Sequence, residues 1–145
     1  MSTSPRKGSC LCRAIEFELH DASTAGVLCY CTNCRKTTSD RLRSYNIATK
    51  PDAVVVTKGS PSVYHDTTTK SALPMARYFC GSCGSPLWSD PQSAPGARYV
   101  KVGALDDAPE VKLAAEVFVD YALAHEPIPK EQFGQRHFDS NKNAV

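Results

Sequence analysis

Cys29-Tyr30-Cys31-Thr32-Asn33-Cys34-Arg35-Lys36 carries three thiols at spacings i, i+2 and i+5, with two cations directly after them. Thiols so close in sequence can converge on one metal ion. Zinc in structural sites is usually enclosed by four protein ligands, whereas catalytic sites leave one position for water or substrate. This stretch offers three ligands and therefore reads as an open site. The other cysteines decide whether a fourth is available.

Four more thiols stand in Gly8-Ser9-Cys10-Leu11-Cys12 and Cys80-Gly81-Ser82-Cys83-Gly84. In an extended chain, i and i+2 side chains share a face, so Cys10 and Cys12 can chelate one ion. A C-x-x-C followed by glycine resembles a zinc knuckle, whose tight turn needs glycine's conformational freedom. Seven then divides as four plus three. Cys10, Cys12, Cys80 and Cys83 would form a closed structural site, leaving Cys29, Cys31 and Cys34 as the open one. Pairing Cys10 and Cys12 with Cys29 and Cys31 is an alternative that spacing leaves open. The expectation is two zinc ions per chain, one structural, the other catalytic and more labile.

Composition narrows the setting. Seven cysteines form an odd set in a chain whose first residues, Met1 to Lys7, lack the apolar run of a secretory signal. That argues for free, metal-binding thiols rather than a disulfide framework. No stretch approaches the eighteen or so apolar residues of a membrane span, so the reading is a soluble, cytoplasmic protein with no membrane partner. A net charge of +2 with dispersed cations shows no footprint for nucleic acid. At 145 residues the chain fits one domain, assigned to 8–138, with a flexible arm at 1–7 and a disordered tail at 139–145. Whether it forms a homo-oligomer stays open.

Short alternating runs separated by turn signals predict an all-β fold of small antiparallel sheets. Ile15, Phe17 and Leu19 alternate with Glu16 and Glu18, and Ala25 to Cys29 delivers a second strand into the three-thiol stretch. Thr37 to Arg43 reads as a loop or single helical turn. Ser44–Ala48, Ala53–Thr57 (a well-buried strand), Ser62–His65, Tyr99–Val102 and Glu116–Tyr121 are further strands, with Asp66–Leu73 a hairpin loop.

A zinc held by three thiolates carries a net charge of about −1, which makes its bound water less acidic than on imidazole-held zinc. Its exchangeable position suits an incoming thiol held near an aldehyde. Arg35 and Lys36 would offset that charge or receive a substrate carboxylate; a solvated surface pair is the alternative. Tyr30, between two ligands, is a candidate to donate a hydrogen bond to a substrate oxygen, with packing as the alternative, and Asp40 is an acid/base candidate, with a turn or cap role as the alternative. His20, His65, His125 and His137 are scattered, and one of them folding over the open site would close it.

The three cysteine motifs, with Phe79 and Ser85-Pro86-Leu87 around the last, Lys58 to Pro61, and Gly103-Ala104-Leu105-Asp106-Asp107, together resemble the glutathione-dependent formaldehyde-activating enzymes and their centromere-protein-V relatives. The resemblance covers roughly residues 6–138. It implies a zinc-pinned β-tent of the Mss-four-like superfamily, with Cys10, Cys12, Cys80 and Cys83 on the structural ion and Cys29, Cys31 and Cys34 on the catalytic one. It also implies a carbon–sulfur lyase that joins glutathione and formaldehyde as S-hydroxymethylglutathione, and with that substrate the cations of Arg35 and Lys36 are candidate glutathione contacts. The chain departs from the family pattern at Tyr30, where histidine is usual, at Thr38-Ser39-Asp40-Arg41, where a small Ser-Gly is usual, and at His125, where a tryptophan is common. Two other readings are an enzyme using the same zinc on a bulkier aldehyde, imine or thioether, and a non-catalytic zinc-stabilised protein-binding module.

Overall fold

The computed structural model describes residues 4–21, 25–39, 43–107, 111–122, 136–139, 141 and 143–144, with backbone alone at 136 and 137. Strands dominate it. A three-stranded sheet has the order β1 (Arg6–Ser9), β2 (Glu16–Leu19), β5 (Val54–Lys58). The eight-stranded sheet runs β11 (Arg136–Phe138), β10 (Lys112–Val117), β3 (Ala25–Cys29), β4 (Ser44–Thr49), β9 (Arg98–Lys101), β8 (Pro86–Pro91), β7 (Met75–Phe79), β6 (Ser62–Asp66). Among the described residues one α-helix is present, α1 (Thr32–Thr38).

Alternation explains how the sheets meet. In β2, Phe17 and Leu19 turn inward while Glu16 and Glu18 face outward. The inward residues, with Ile15, pack on Ile47, Leu87, Trp88 and Val100 of the large sheet. Phe17 meets Trp88 edge-on at 5.3 Å between ring centroids, an arrangement favoured by the ring quadrupoles.

The all-β reading holds, with local corrections. The sheets are not wholly antiparallel: β10 runs parallel to both β3 and β11. That pairing sets Val117 opposite Cys29. The strand expected over Glu116–Tyr121 ends at Val117, because Phe118 takes a left-handed φ of 58° and Val119–Tyr121 forms a 3-10 turn. The run Val54–Val56 is not well buried. Among the described strands β5 pairs with β2 alone, and Val55 and Val56 are 46% and 38% exposed. Arg6 and Lys7, assigned to a free arm, are in β1. In the segment assigned to a disordered tail, Asp139 accepts hydrogen bonds from the amides of Asn141 and Asn143.

Two thiol clusters and a pocket

The four-thiol cluster is built by two facing turns. The chain turns after β1, where Arg13 N–H donates to the Cys10 carbonyl at 3.0 Å. The second turn follows β7, where Gly84 N–H donates to the Cys80 carbonyl at 2.8 Å with a φ of +76°. Leu11 N–H donates to Ser85 Oγ at 3.0 Å, locking one turn to the other. The Cys10 and Cys12 sulfurs are 3.6 Å apart, and those of Cys12 and Cys80 3.8 Å. A tetrahedron with Zn–S bonds of about 2.3 Å has edges of about 3.8 Å, so the set fits a four-thiolate ion. Cys10 and Cys12 converge through a turn, not on the extended strand that their spacing suggested. Hydrogen bonds from the Ser85 hydroxyl and then its amide hold the Cys83 thiol down at about 5.

The second cluster comprises Cys29, Cys31 and Cys34, whose sulfurs lie within 4.8 Å of one another. Among the described residues no other histidine, cysteine or carboxylate joins them. Cys29 ends β3, and Cys31 caps α1, its sulfur accepting from Cys34 N–H at 3.3 Å. A cap residue reaches back over the third residue of its helix, and this brings the i and i+3 thiols together. All seven cysteines are free. The two groups could each hold a metal ion, partitioned as four plus three, and the alternative pairing of Cys10 and Cys12 with Cys29 and Cys31 is not what the structure holds.

Electrostatics at the three-thiol cluster come from residues that sequence reading missed. Arg77 Nη1 stands 3.9 Å from Cys34 Sγ, while its Nε and Nη2 donate to Asp66 at 2.8 and 2.7 Å. Lys101 is buried beneath the cluster and donates to Ser44 Oγ at 3.0 Å and Asn46 Oδ1 at 2.8 Å. Hydrogen bonds from Cys29 and Cys31 hold the Cys34 thiol well below its usual range against burial, with the Lys101 and Arg77 charges assisting. Cys29 moves the other way, pushed up by its bonds to Cys31 and Cys34 and then by burial.

Beside these thiols opens a pocket of about 390 Å³ lined by Val27, Met75, Pro91, Tyr99, Val117 and Phe118 among others. Arg35 and Lys36 do not line it. They sit in α1, where steps of one and two residues turn side chains about 100° and 200° away from Cys34. Tyr30 is also directed elsewhere. Its hydroxyl donates to Glu116 at 2.5 Å and accepts from Arg43 at 3.3 Å. Among the described residues Tyr99 is the tyrosine of the pocket; burial, and then the Cys29 sulfur, push its hydroxyl's pKa up. His20 pairs with Glu18 at 3.0 Å, and His65 lies on β6 away from both clusters. Asp40, Arg41 and His125 lie outside the described residues.

Fold and site together define a β protein with two thiol clusters able to hold metal ions, one closed by four residues and the other facing a pocket. The family model for glutathione-dependent formaldehyde-activating enzymes matches residues 5–121, and the chain belongs to that family. A Halomonas elongata protein named "Putative glutathione-dependent formaldehyde-activating enzyme" is 32% identical over 84 residues, 57% of this chain and 54% of the relative. The match thus spans about half the length of that curated relative. A Rhodobacter sphaeroides protein of known crystal structure shares the fold at a TM-score of 0.56 and 23% identity, over 71% of this chain and 90% of the other. Among the described residues no helix is long and apolar enough to cross a membrane.

Proposed function

We propose that this protein makes or breaks the carbon–sulfur bond of a thiol–carbonyl adduct, using zinc held by Cys29, Cys31 and Cys34. The family reaction, glutathione plus formaldehyde giving S-hydroxymethylglutathione, is the reference case. One observation carries the reading: a cluster of three thiols, with no fourth ligand among the described residues, borders a pocket that can take a substrate.

Zinc bound there would supply an electrophilic position that favours the thiolate form of an incoming thiol. The chain's own residues do the rest. Cys29, Cys31 and Cys34 must all lose their protons to ligate, and the cations of Arg77 and Lys101 favour that state. Val27, Val117 and Phe118 shield the thiols from bulk water. As the substrate sulfur bonds to the carbonyl carbon, the C=O electron pair moves to oxygen. Tyr99 hydrogen-bonds that oxygen and gives it the phenolic proton, and the proton that the substrate thiol releases restores the phenol, so that none is gained or lost overall. Cys10, Cys12, Cys80 and Cys83 would hold the structural zinc that ties β1 to the β7–β8 turn. Seven free thiols suit the reducing cytoplasm.

Metal content per chain and thiol–formaldehyde adduct exchange, followed by NMR, test this in wild type and Cys34→Ser. The expected result is two zinc ions falling to one, with catalysed exchange lost. Two tightly held ions and no catalysed exchange in the wild type would refute it in favour of a non-catalytic binding module.

A further inference from the structure

We propose that the thiol accepted by the pocket is an apolar one of about aryl size, in preference to a peptide thiol bearing two carboxylates. This rests on the carbon–sulfur reading above. Two of the three cations among the described lining residues are already committed: Arg77 is paired with Asp66 through Nε and Nη2, and Lys101 is held by Ser44 and Asn46. Both cations are buried beside the thiol cluster, where they offset thiolate charge. At the rim, Lys70 lies 5.0 Å over the Tyr121 ring, and Asp139 adds a carboxylate on the lining. Glutathione brings two carboxylates at neutral pH. Among the described lining residues, Lys70 alone is a cation not held by a hydrogen bond or ion pair, and Asp139 brings a negative charge to the same lining.

Among the described lining residues Asn33, Asn46, Thr69, Ser71, Ser89 and Ser93 add uncharged polar groups, but most of the surface that the wall presents is apolar. Val27, Met75, Pro91 and Val117 surround the approach to the thiols, and Phe118 packs against the cluster itself. Phe118 holds this place in a left-handed backbone conformation, φ 58° and ψ 40°, that a bulky side chain rarely adopts. Its ring is set by an edge contact with Tyr121 at 6.4 Å. A cavity of about 390 Å³ with this lining gains from burying a ring and gains little from a charged tripeptide backbone.

The test uses zinc-loaded protein with two thiol probes, benzyl mercaptan and glutathione. Calorimetric titration measures binding, and NMR exchange with formaldehyde measures turnover. Benzyl mercaptan should bind at least about tenfold more tightly and give the higher kcat/KM. Phe118→Ala should reduce the benzyl-to-glutathione affinity ratio at least about fivefold. Met75→Lys, which adds an uncommitted cation on the lining, should move the ratio the same way; this second variant decides the matter if Phe118→Ala fails to fold. Tighter binding of glutathione, with exchange that Cys34→Ser abolishes, overturns this inference and leaves the carbon–sulfur reading standing. Absence of catalysed exchange with either thiol overturns both.

Discussion

Removing the Asp66 carboxylate should cost more than any exposed ion pair could supply. Asp66 and Arg77 are 4% and 7% exposed, and the carboxylate also accepts from Asn33 Nδ2 at 2.9 Å, Thr68 N at 2.9 Å and Thr68 Oγ1 at 2.8 Å. These bonds join α1, β6 and the loop after it to β7. Stripping one partner from a buried pair leaves an uncompensated charge and typically costs about 3–5 kcal/mol. Cys34, 3.9 Å from Arg77, compensates in part, so Asp66→Ala should lose about 3 kcal/mol, lowering Tm on the order of 10 °C. Urea unfolding of zinc-loaded protein at pH 7 measures it. Burial alone would raise the Asp66 pKa, but the bonds from Asn33, Thr68 and Arg77 hold it far below the usual carboxylate value. Its contribution is therefore complete above the unfolded pKa of about 3.9 and lost as pH falls through the folded value. The gap between wild type and variant should be flat from about pH 5 to 8 and narrow below about pH 4. The double variant Asp66→Ala/Arg77→Met should be more stable than Asp66→Ala alone, since no charge is stranded. A loss below about 1 kcal/mol, or a double variant less stable than the single, would refute the reasoning.

Cys80→Ser should prevent folding to a stable state rather than reduce catalysis selectively, because the four-thiol site joins turns on different sheets and zinc binding contributes on the order of 10 kcal/mol; near-UV circular dichroism would report it. The two tyrosines should separate: Tyr99→Phe should lower kcat about 10- to 100-fold with little change in KM. Tyr30→Phe should cost about 1–2 kcal/mol of stability through the lost bond to Glu116 and leave the rate within about twofold. Steady-state kinetics beside thermal melts checks both. Gly59→Ala should destabilise by about 2 kcal/mol or more in denaturant titration, since φ is +74° and the added Cβ would stand 2.1 Å from the Ala14 carbonyl oxygen.

Local pattern sufficed for much of the protein. The alternation of Ile15, Phe17 and Leu19 and the run from Ala25 to Cys29 marked β2 and β3 because side chains alternate every two residues whatever lies across the sheet. The three-thiol cluster was legible in the same way, since thiols within five residues of each other reach a common point through one cap, but the partner of Cys10 and Cys12 was not: Cys80 lies 68 positions from Cys12, and only the meeting of the two turns selected it. Tertiary structure alone decided the chemistry around them. Arg77 stands 43 positions from Cys34, and its own neighbours Met75, Ala76, Tyr78 and Phe79 spell an ordinary strand. Lys101 and Tyr99 reach the pocket because β9 lies next to β4, which lies next to β3. Arg35 and Lys36, the cations that sequence proximity favoured, were carried off by the helical turn that gathers the thiols. Ligands close in sequence are brought together by local geometry, whereas the charges and apolar walls that tune them are contributed by strand order, which no single stretch encodes.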